Sequence, residues 1–287
     1  MTCALCGSSV DRFRRVPWLF RCRGCGVWLS SLQPAIGSGT AADVDEQSRI
    51  AGLRPVRDAG YRRLLGEVAH LRSLKGARVL DVGSGHGWFL EAAAEAGSAA
   101  VGIEPEEDVA RSTQDRGLDV RLGFFPEALE PEDRFDVVTY NDVFEHLPDL
   151  DTILAATHGV LVEDGLLAIS IPTSEGLAYR LSLWAAAFGL MTPLRRLWQY
   201  DYPSPHLWYF DERSLVGLLE RSGFTLERVG RLPSIERAGL RERVYADPRR
   251  SLATSVSMGL AWLLAPILNR PSASDAMFVV LRRREDP

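Results

Sequence analysis

Beyond Cys25 the chain has no cysteine, and nowhere does it carry an apolar run long enough to cross a bilayer. The most apolar stretch, Leu252 to Leu268, has Ser and Thr early and Pro266 late, and it falls short of the roughly 20 residues a spanning helix needs. It reads as a buried or interfacial helix. The N-terminus lacks a charged start followed by an apolar segment, and Cys3 and Cys6 stand where a signal peptide would be, so export is not expected and a cytoplasmic location is. A positive excess is missing too. With 33 Lys plus Arg against 38 Asp plus Glu the net charge is −5, so overall charge gives no attraction to a phosphate backbone. No internal repeat is evident.

What is present is a soluble, globular composition, 46% apolar and 25% charged over 287 residues, enough for one large domain and a small appendage. The appendage is at the start. Cys3-x-x-Cys6 and Cys22-x-x-Cys25 are 15 residues apart, and each pair is followed by glycine, Gly7 and Gly26. Four thiolates on two tight turns make a closed tetrahedral site suited to structural Zn²⁺; two disulfides are the alternative, disfavoured inside a cell. Residues 1–30 are therefore read as a zinc ribbon. Its Arg12, Arg14, Arg15, Arg21 and Arg23 face a single acid, Asp11, which makes a locally basic piece. Residues 31–55 are read as a linker, because Ser31–Gln47 is rich in Ser, Gly, Ala and acids with little periodicity.

From 56 to the end the chain alternates. Leu64, Leu65, Val68 and Leu71 recur at helical spacing. Strand-like runs at Arg78–Val82, Ala100–Ile103, Val120–Leu122, Asp136–Tyr140 and Leu166–Ile171 are separated by helical patterns at Trp88–Ala96, Glu107–Arg116 and Asp149–Leu161. Asp211 caps a helix over Leu215–Arg221, and Phe224–Val229 and Met277–Leu281 look like closing strands. Alternation with buried strands predicts an α/β fold with a Rossmann-like, doubly wound parallel sheet, carrying insertions at about 173–210 and 234–275.

The first strand of that sheet runs into Asp81-Val82-Gly83-Ser84-Gly85-His86-Gly87, and a helix begins at Trp88. Glycines at alternate positions let the backbone pass close under a ligand and turn into a helix whose N-terminal amides favour electron-rich groups. The second strand ends at Glu104-Pro105, 21 residues after Gly83, where a carboxylate can accept both hydroxyls of an adenosine ribose. A dinucleotide site would want G-x-G-x-x-G; here the spacing is G-x-G-x-G, preceded by Asp81, which repels a pyrophosphate but suits a cationic amino group and a sulfonium.

At these residues the chain resembles the class I S-adenosylmethionine-dependent methyltransferases. VLDVGSGHGWFLEAAAEAG and VGIEPEE look like their first two motifs, and FDVVTYNDVFEHLPD looks like the segment ending their fourth strand. The nearest form is the branch with the ubiquinone-type O-methyltransferases, in which an E-H-L-x-D segment follows strand four, as Glu145 to Asp149 does here. CALCGSS and CRGCGVWL resemble the N-terminal zinc ribbon of methyltransferases from sugar and polysaccharide gene clusters, and PHLWYFDERSLVGLLERSGF resembles their final helix and sixth strand. The resemblance implies S-adenosylmethionine on Asp81, Gly83, Ser84, Gly85, Gly87, Glu104, Pro105 and Asn141. The family often has an acid after strand three; Gly123-Phe124-Phe125 stands there, so Phe124 or Phe125 is assigned to the adenine.

His146, just beyond strand four, is the candidate general base, with a loop-ordering role as the alternative. His86 is read as a pocket wall. Tyr200, Tyr202, His206 and Tyr209 are candidate substrate contacts, or an aromatic lid held by its own packing. Expected acceptors are small molecules, sugars, glycans or lipid-linked compounds, methylated at oxygen. Three alternatives carry less. A nucleic-acid methyltransferase docking through the ribbon lacks an N-P-P-Y-like segment, having Asn141-Asp142-Val143-Phe144 instead. A non-catalytic adapter would not need intact glycines and Glu104, and a nicotinamide oxidoreductase would want the other glycine spacing. Leu177–Trp198 and Leu252–Leu268 are apolar with Trp and Arg, which fits either two helices packed together as a lid or a peripheral membrane contact beside the substrate edge.

Overall fold

The computed structural model describes residues 2–35, 46–238, 259 and 262–284. Of the linker expected over 31–55, residues 36–45 lie outside the described residues, 31–35 are not helical, and the remainder belongs to α1 (Glu46–Ala69). The helix lays Leu64, Leu65 and Val68 against Val79, Phe89, Val137 and Phe278.

The main sheet has seven strands. Those predicted from the sequence appear as β4 (Arg78–Val82), β5 (Ala99–Glu104), β6 (Val120–Leu122), β7 (Phe135–Asn141), β8 (Leu161–Pro172), β10 (Phe224–Leu232) and β11 (Ala276–Arg283). Their order is β10-β11-β8-β7-β4-β5-β6. The five strands from β4 to β8 are mutually parallel, whereas β11 runs antiparallel to both neighbours, a local departure from the all-parallel expectation. Continuously buried runs such as Val79–Val82 and Leu166–Ile171 explain why the central strands are legible: both faces are covered. Helices α2 (Trp88–Glu95), α3 (Glu107–Gln114), α4 (Leu150–Val160) and α7 (Glu212–Arg221) provide covering layers. Asp149 caps α4 by accepting from Thr152 N at 3.1 Å. Asp211 opens α7 with a capping box: its side chain accepts from Ser214 N at 2.7 Å while Ser214 Oγ accepts from Asp211 N at 3.1 Å. The chain order reverses between β4 and β7, so a crevice forms at the carboxyl ends of those two strands.

The ribbon is not a free appendage. Its strands β1 (Val10–Arg12), β2 (Leu19–Cys22) and β3 (Trp28–Ser30) pair antiparallel, and β9 (Trp208–Tyr209) from the main domain joins as the fourth strand. Within the first insertion, α5 (Leu177–Ala187) and α6 (Thr192–Leu197) pack on it. Tyr179, Ala186, Leu194 and Trp198 share a core with Val16, Trp18, Leu19 and Tyr209. Of the lid expected from Leu177–Trp198 and Leu252–Leu268, the first insertion packs on the ribbon, and most of the second stretch lies outside the described residues. Of the second insertion, most of 239–261 lies outside the described residues, and 262–268 is helical with Ala265 buried and Trp262 half exposed.

Candidate active site

Asp81, at the end of β4, is buried, and its Oδ1 accepts from Thr139 Oγ1 at 2.7 Å and from Asn141 Nδ2 at 2.9 Å. Asn141 in turn accepts from Ser170 Oγ at 3.0 Å. Asn141 therefore orients Asp81 at the strand end. Burial pushes the Asp81 carboxyl up to about 7, against the two hydrogen bonds that favour its ionised form.

The loop that follows needs its glycines. Gly83 has φ +70°, and a Cβ there would lie 2.5 Å from Val143 Cγ2; Gly87 has φ +72° with Thr113 Cγ2 at 2.6 Å. Ser84 is buried, and a Cβ on Gly102 would meet its hydroxyl at 2.4 Å, so Ser84 faces β5. Glu104 ends β5 with both oxygens already oriented: Oε2 accepts from Gly85 N at 2.8 Å and Oε1 from Glu106 N at 2.9 Å. A carboxylate held this way keeps lone pairs for a ribose diol. Pro105 follows it, half-buried. Phe124 and Phe125 part company: Phe125 is in the core, edge-on to Tyr140 at 6.1 Å, and only Phe124 presents its ring to solvent. Of the two, Phe124 is the ring open to a ligand in the described structure.

If Asp81 receives the cofactor ammonium, which would favour its ionised form, cofactor binding at pH 6 should expel close to one proton, and the release should vanish above about pH 8. Calorimetric titration with S-adenosylhomocysteine in buffers of different ionisation enthalpy measures it. A heat independent of buffer at pH 6 would remove Asp81 from the amino-group site.

Past β7 the chain enters a single 3₁₀ turn, Phe144–His146. His146 Nδ1 donates to Pro205 O at 3.0 Å, with Ser204 Oγ at 3.3 Å, which selects the tautomer whose Nε2 is unprotonated. Its ring meets that of His206 edge-on at 4.7 Å. Glu145, 1% exposed, faces the Nε2 edge of both imidazoles: its Oε1 is 3.9 Å from Nε2 of each, and among the described residues neither carboxyl oxygen has a hydrogen-bond partner. Burial raises the Glu145 carboxyl to about 8, lowers His146 to about 4 and takes His206 well below the ordinary histidine range. At neutral pH the cluster therefore holds two neutral imidazoles and a largely protonated carboxyl. Arg57 reaches it from α1, ion-paired with Asp142 and adding positive potential at Glu145 and both histidines.

Of the four candidate substrate contacts, only His206 comes to His146. Tyr209 is buried and stacked on Tyr179 at 4.3 Å, and Tyr200 packs on Trp18 at 5.2 Å beneath the Arg195 guanidinium. These two serve the ribbon core, as aromatic packing alone would have them. Tyr202 stays exposed. His86 lies over Trp88 at 5.1 Å, beside the loop. Sequence reasoning missed Arg57, Asp142 and Glu145. Glu145 stood beside His146 in the E-H-L-P-D segment and had a signal; Arg57 had none, since only packing of α1 brings it in.

At the ribbon, Cys3, Cys6, Cys22 and Cys25 are free thiols whose sulfurs all lie within 4.8 Å of one another, with Cys6–Cys22 at 3.4 Å and Cys3–Cys25 at 3.9 Å. Tetrahedral Zn–S bonds of about 2.3 Å put sulfurs about 3.8 Å apart. The donor set fits zinc in number, chemistry and spacing.

The seven-stranded order, the crevice and a ribose-ready carboxylate define a class I methyltransferase fold. The chain matches the methyltransferase-domain family over residues 55–229 and belongs to it. Among curated relatives, the ubiquinone biosynthesis O-methyltransferase of Azorhizobium caulinodans is 31% identical over 141 residues, 47% of this chain and 56% of that protein. The chain thus spans about half the length of the curated relatives it first matches. Two solved structures share the fold: the cyclopropane synthase MmaA2 of Mycobacterium tuberculosis (TM-score 0.56, 19% identity, 87% of this chain and 92% of that one) and Haemonchus contortus phosphoethanolamine N-methyltransferase 2 in complex with S-adenosyl-L-methionine (TM-score 0.52, 16% identity, 86% and 61%).

Proposed function

We propose that the protein methylates an oxygen of a small-molecule, sugar, glycan or lipid-linked acceptor. The observation that carries this reading is the partly buried, uncharged His146 beyond β7, its Nδ1–H held by Pro205 O. A sulfonium is an activated donor, so the protein has mainly to align the hydroxyl with the methyl and accept one proton, and a neutral imidazole can do the second. Asp81 holds the amino group, Glu104 the ribose, and Phe124 covers the adenine. The ubiquinone O-methyltransferase relatives support an oxygen acceptor. Incubating the protein with labelled S-adenosylmethionine and cell extract tests it: label should enter the small-molecule or lipid-linked fraction, and label confined to RNA or DNA would favour docking of nucleic acid on the ribbon.

A lipid-linked acceptor has one specific observation behind it. Leu181, Trp184, Phe188 and Leu190 are all more than half exposed at the end of α5, away from the ribbon core. Among the described residues no helix is long and apolar enough to cross a membrane, so contact would be peripheral. Co-sedimentation with anionic liposomes should be lost in Trp184→Ser/Phe188→Ser; wild type remaining wholly in the supernatant rules this out.

The ribbon is proposed to hold one structural Zn²⁺ on its four cysteines. Elemental analysis of untagged protein should give about one zinc per chain, and chelation should release the N-terminal sheet. Metal near zero with all four thiols titrating freely would defeat the assignment.

A further inference from the structure

Seen from the reaction residues, the ribbon is a wall of the site. Ser30, the last residue of β3, donates its hydroxyl to His206 O at 2.8 Å and its amide to Leu207 O at 2.9 Å. Leu207 N donates to Glu145 O at 2.8 Å, Trp208 Nε1 donates to Leu147 O at 2.8 Å, and Ala35 N donates to Pro203 O at 2.7 Å. Segment 203–208 is therefore gripped on one side by residues 30–35 and on the other side grips residues 145–147. It supplies Pro205 O, which fixes the His146 tautomer, and the His206 ring that abuts His146.

The grip depends on the cysteine turn. Cys22 N donates to Val27 O at 2.9 Å, closing the turn between β2 and β3 and setting the register that pairs Leu19 with Ser30. Strands of three and four residues cannot hold themselves in water, and a metal is the ordinary staple for so small a unit. Cys3, Cys22, Val27 and Leu29 also belong to the same apolar cluster as Phe144, Leu207 and Trp208.

We propose that the ribbon positions the reaction residues: through Ser30 and β3 it holds segment 203–208, and through that segment the His146 imidazole, so that metal on the four cysteines sets the geometry of the base. Ser30 is a positioning residue, as it acts through His206 and Leu207. The inference rests on His146 being the base, and its test can be read without turnover. In full-length, zinc-loaded protein the Nδ1 proton of His146 should give a slowly exchanging ¹⁵N-coupled signal, assigned by its absence from His146→Ala. Ser30→Ala should broaden that signal and lower the initial rate of label transfer about tenfold, the scale expected of a small misplacement. Affinity for S-adenosylhomocysteine should stay within about twofold, since the Glu104 crevice lies on other strands. Ser30→Thr, which keeps the hydroxyl, should restore both signal and rate, and removing zinc should abolish the signal while the Ser30-independent cofactor affinity persists. A Ser30→Ala protein with lower melting temperature but unaltered signal and rate would make the ribbon a stabilising element only and overturn the proposal. If His146→Ala leaves the rate unchanged, the base assignment fails separately, and the imidazole signal still decides whether Ser30 positions the ring.

Discussion

Glu104→Ala should abolish measurable cofactor binding at ordinary concentrations, weakening S-adenosylhomocysteine by about 10²-fold or more. The size follows from what is removed: a carboxylate able to accept two ribose hydroxyls, each a charge-assisted hydrogen bond worth about 1.5–3 kcal/mol in a buried setting. The loss is enlarged because Gly85 N and Glu106 N both donate to that carboxylate and would be left to find other acceptors. Gly85→Val should have a comparable effect by another route. Gly85 sits at φ +50° with open space around it, so the damage is backbone strain in a β-branched residue rather than a clash. Calorimetry separates these from global unfolding when run beside a thermal melt. Retention of wild-type affinity in Glu104→Ala would remove Glu104 from the ribose site.

The second large effect is expected at His146. Replacing it by Ala should lower turnover by about 10²-fold or more while cofactor affinity changes little, the pattern of a group that acts in the transition state. The acid limb of the rate profile carries a further signature. Burial lowers the imidazole to about 4, so the neutral, competent form persists above that value, and with cofactor kept saturating against protonation of Asp81, turnover should fall only as pH approaches 4 rather than near 6.5. An unchanged rate in His146→Ala returns the residue to ordering the loop, where its bond to Pro205 O would suffice to explain it.

Much of this was legible in the chain because the relevant signals are local. Buried central strands read as apolar runs, and a glycine loop followed by Glu104 carries its own spacing. The capping residue Asp211 announced α7, and the helical pattern from Asp149 announced α4. What was not legible depends on contacts distant in sequence. Asn141 reads as a polar residue at a strand end, and only the neighbouring strand shows it bound to Asp81 and Ser170. Phe124 and Phe125 are indistinguishable until the core claims one of them. The two-residue strand β9 has no periodicity to detect, and the bond from Ser30 to His206 spans 176 residues. Arg57 on α1 likewise gives no sign that it faces Asp142 and Glu145. The merged ribbon, the reaction residues behind it and the reassigned tyrosines all follow from such pairings.

The account rests on one crevice built for an adenosyl sulfonium and not for a dinucleotide, and the most direct test is a pair of calorimetric titrations of the wild-type protein, one with S-adenosylhomocysteine and one with NAD. S-adenosylhomocysteine should bind saturably and one-to-one and NAD not at all; no heat with the first, or tight binding of NAD, would contradict the assignment of the crevice.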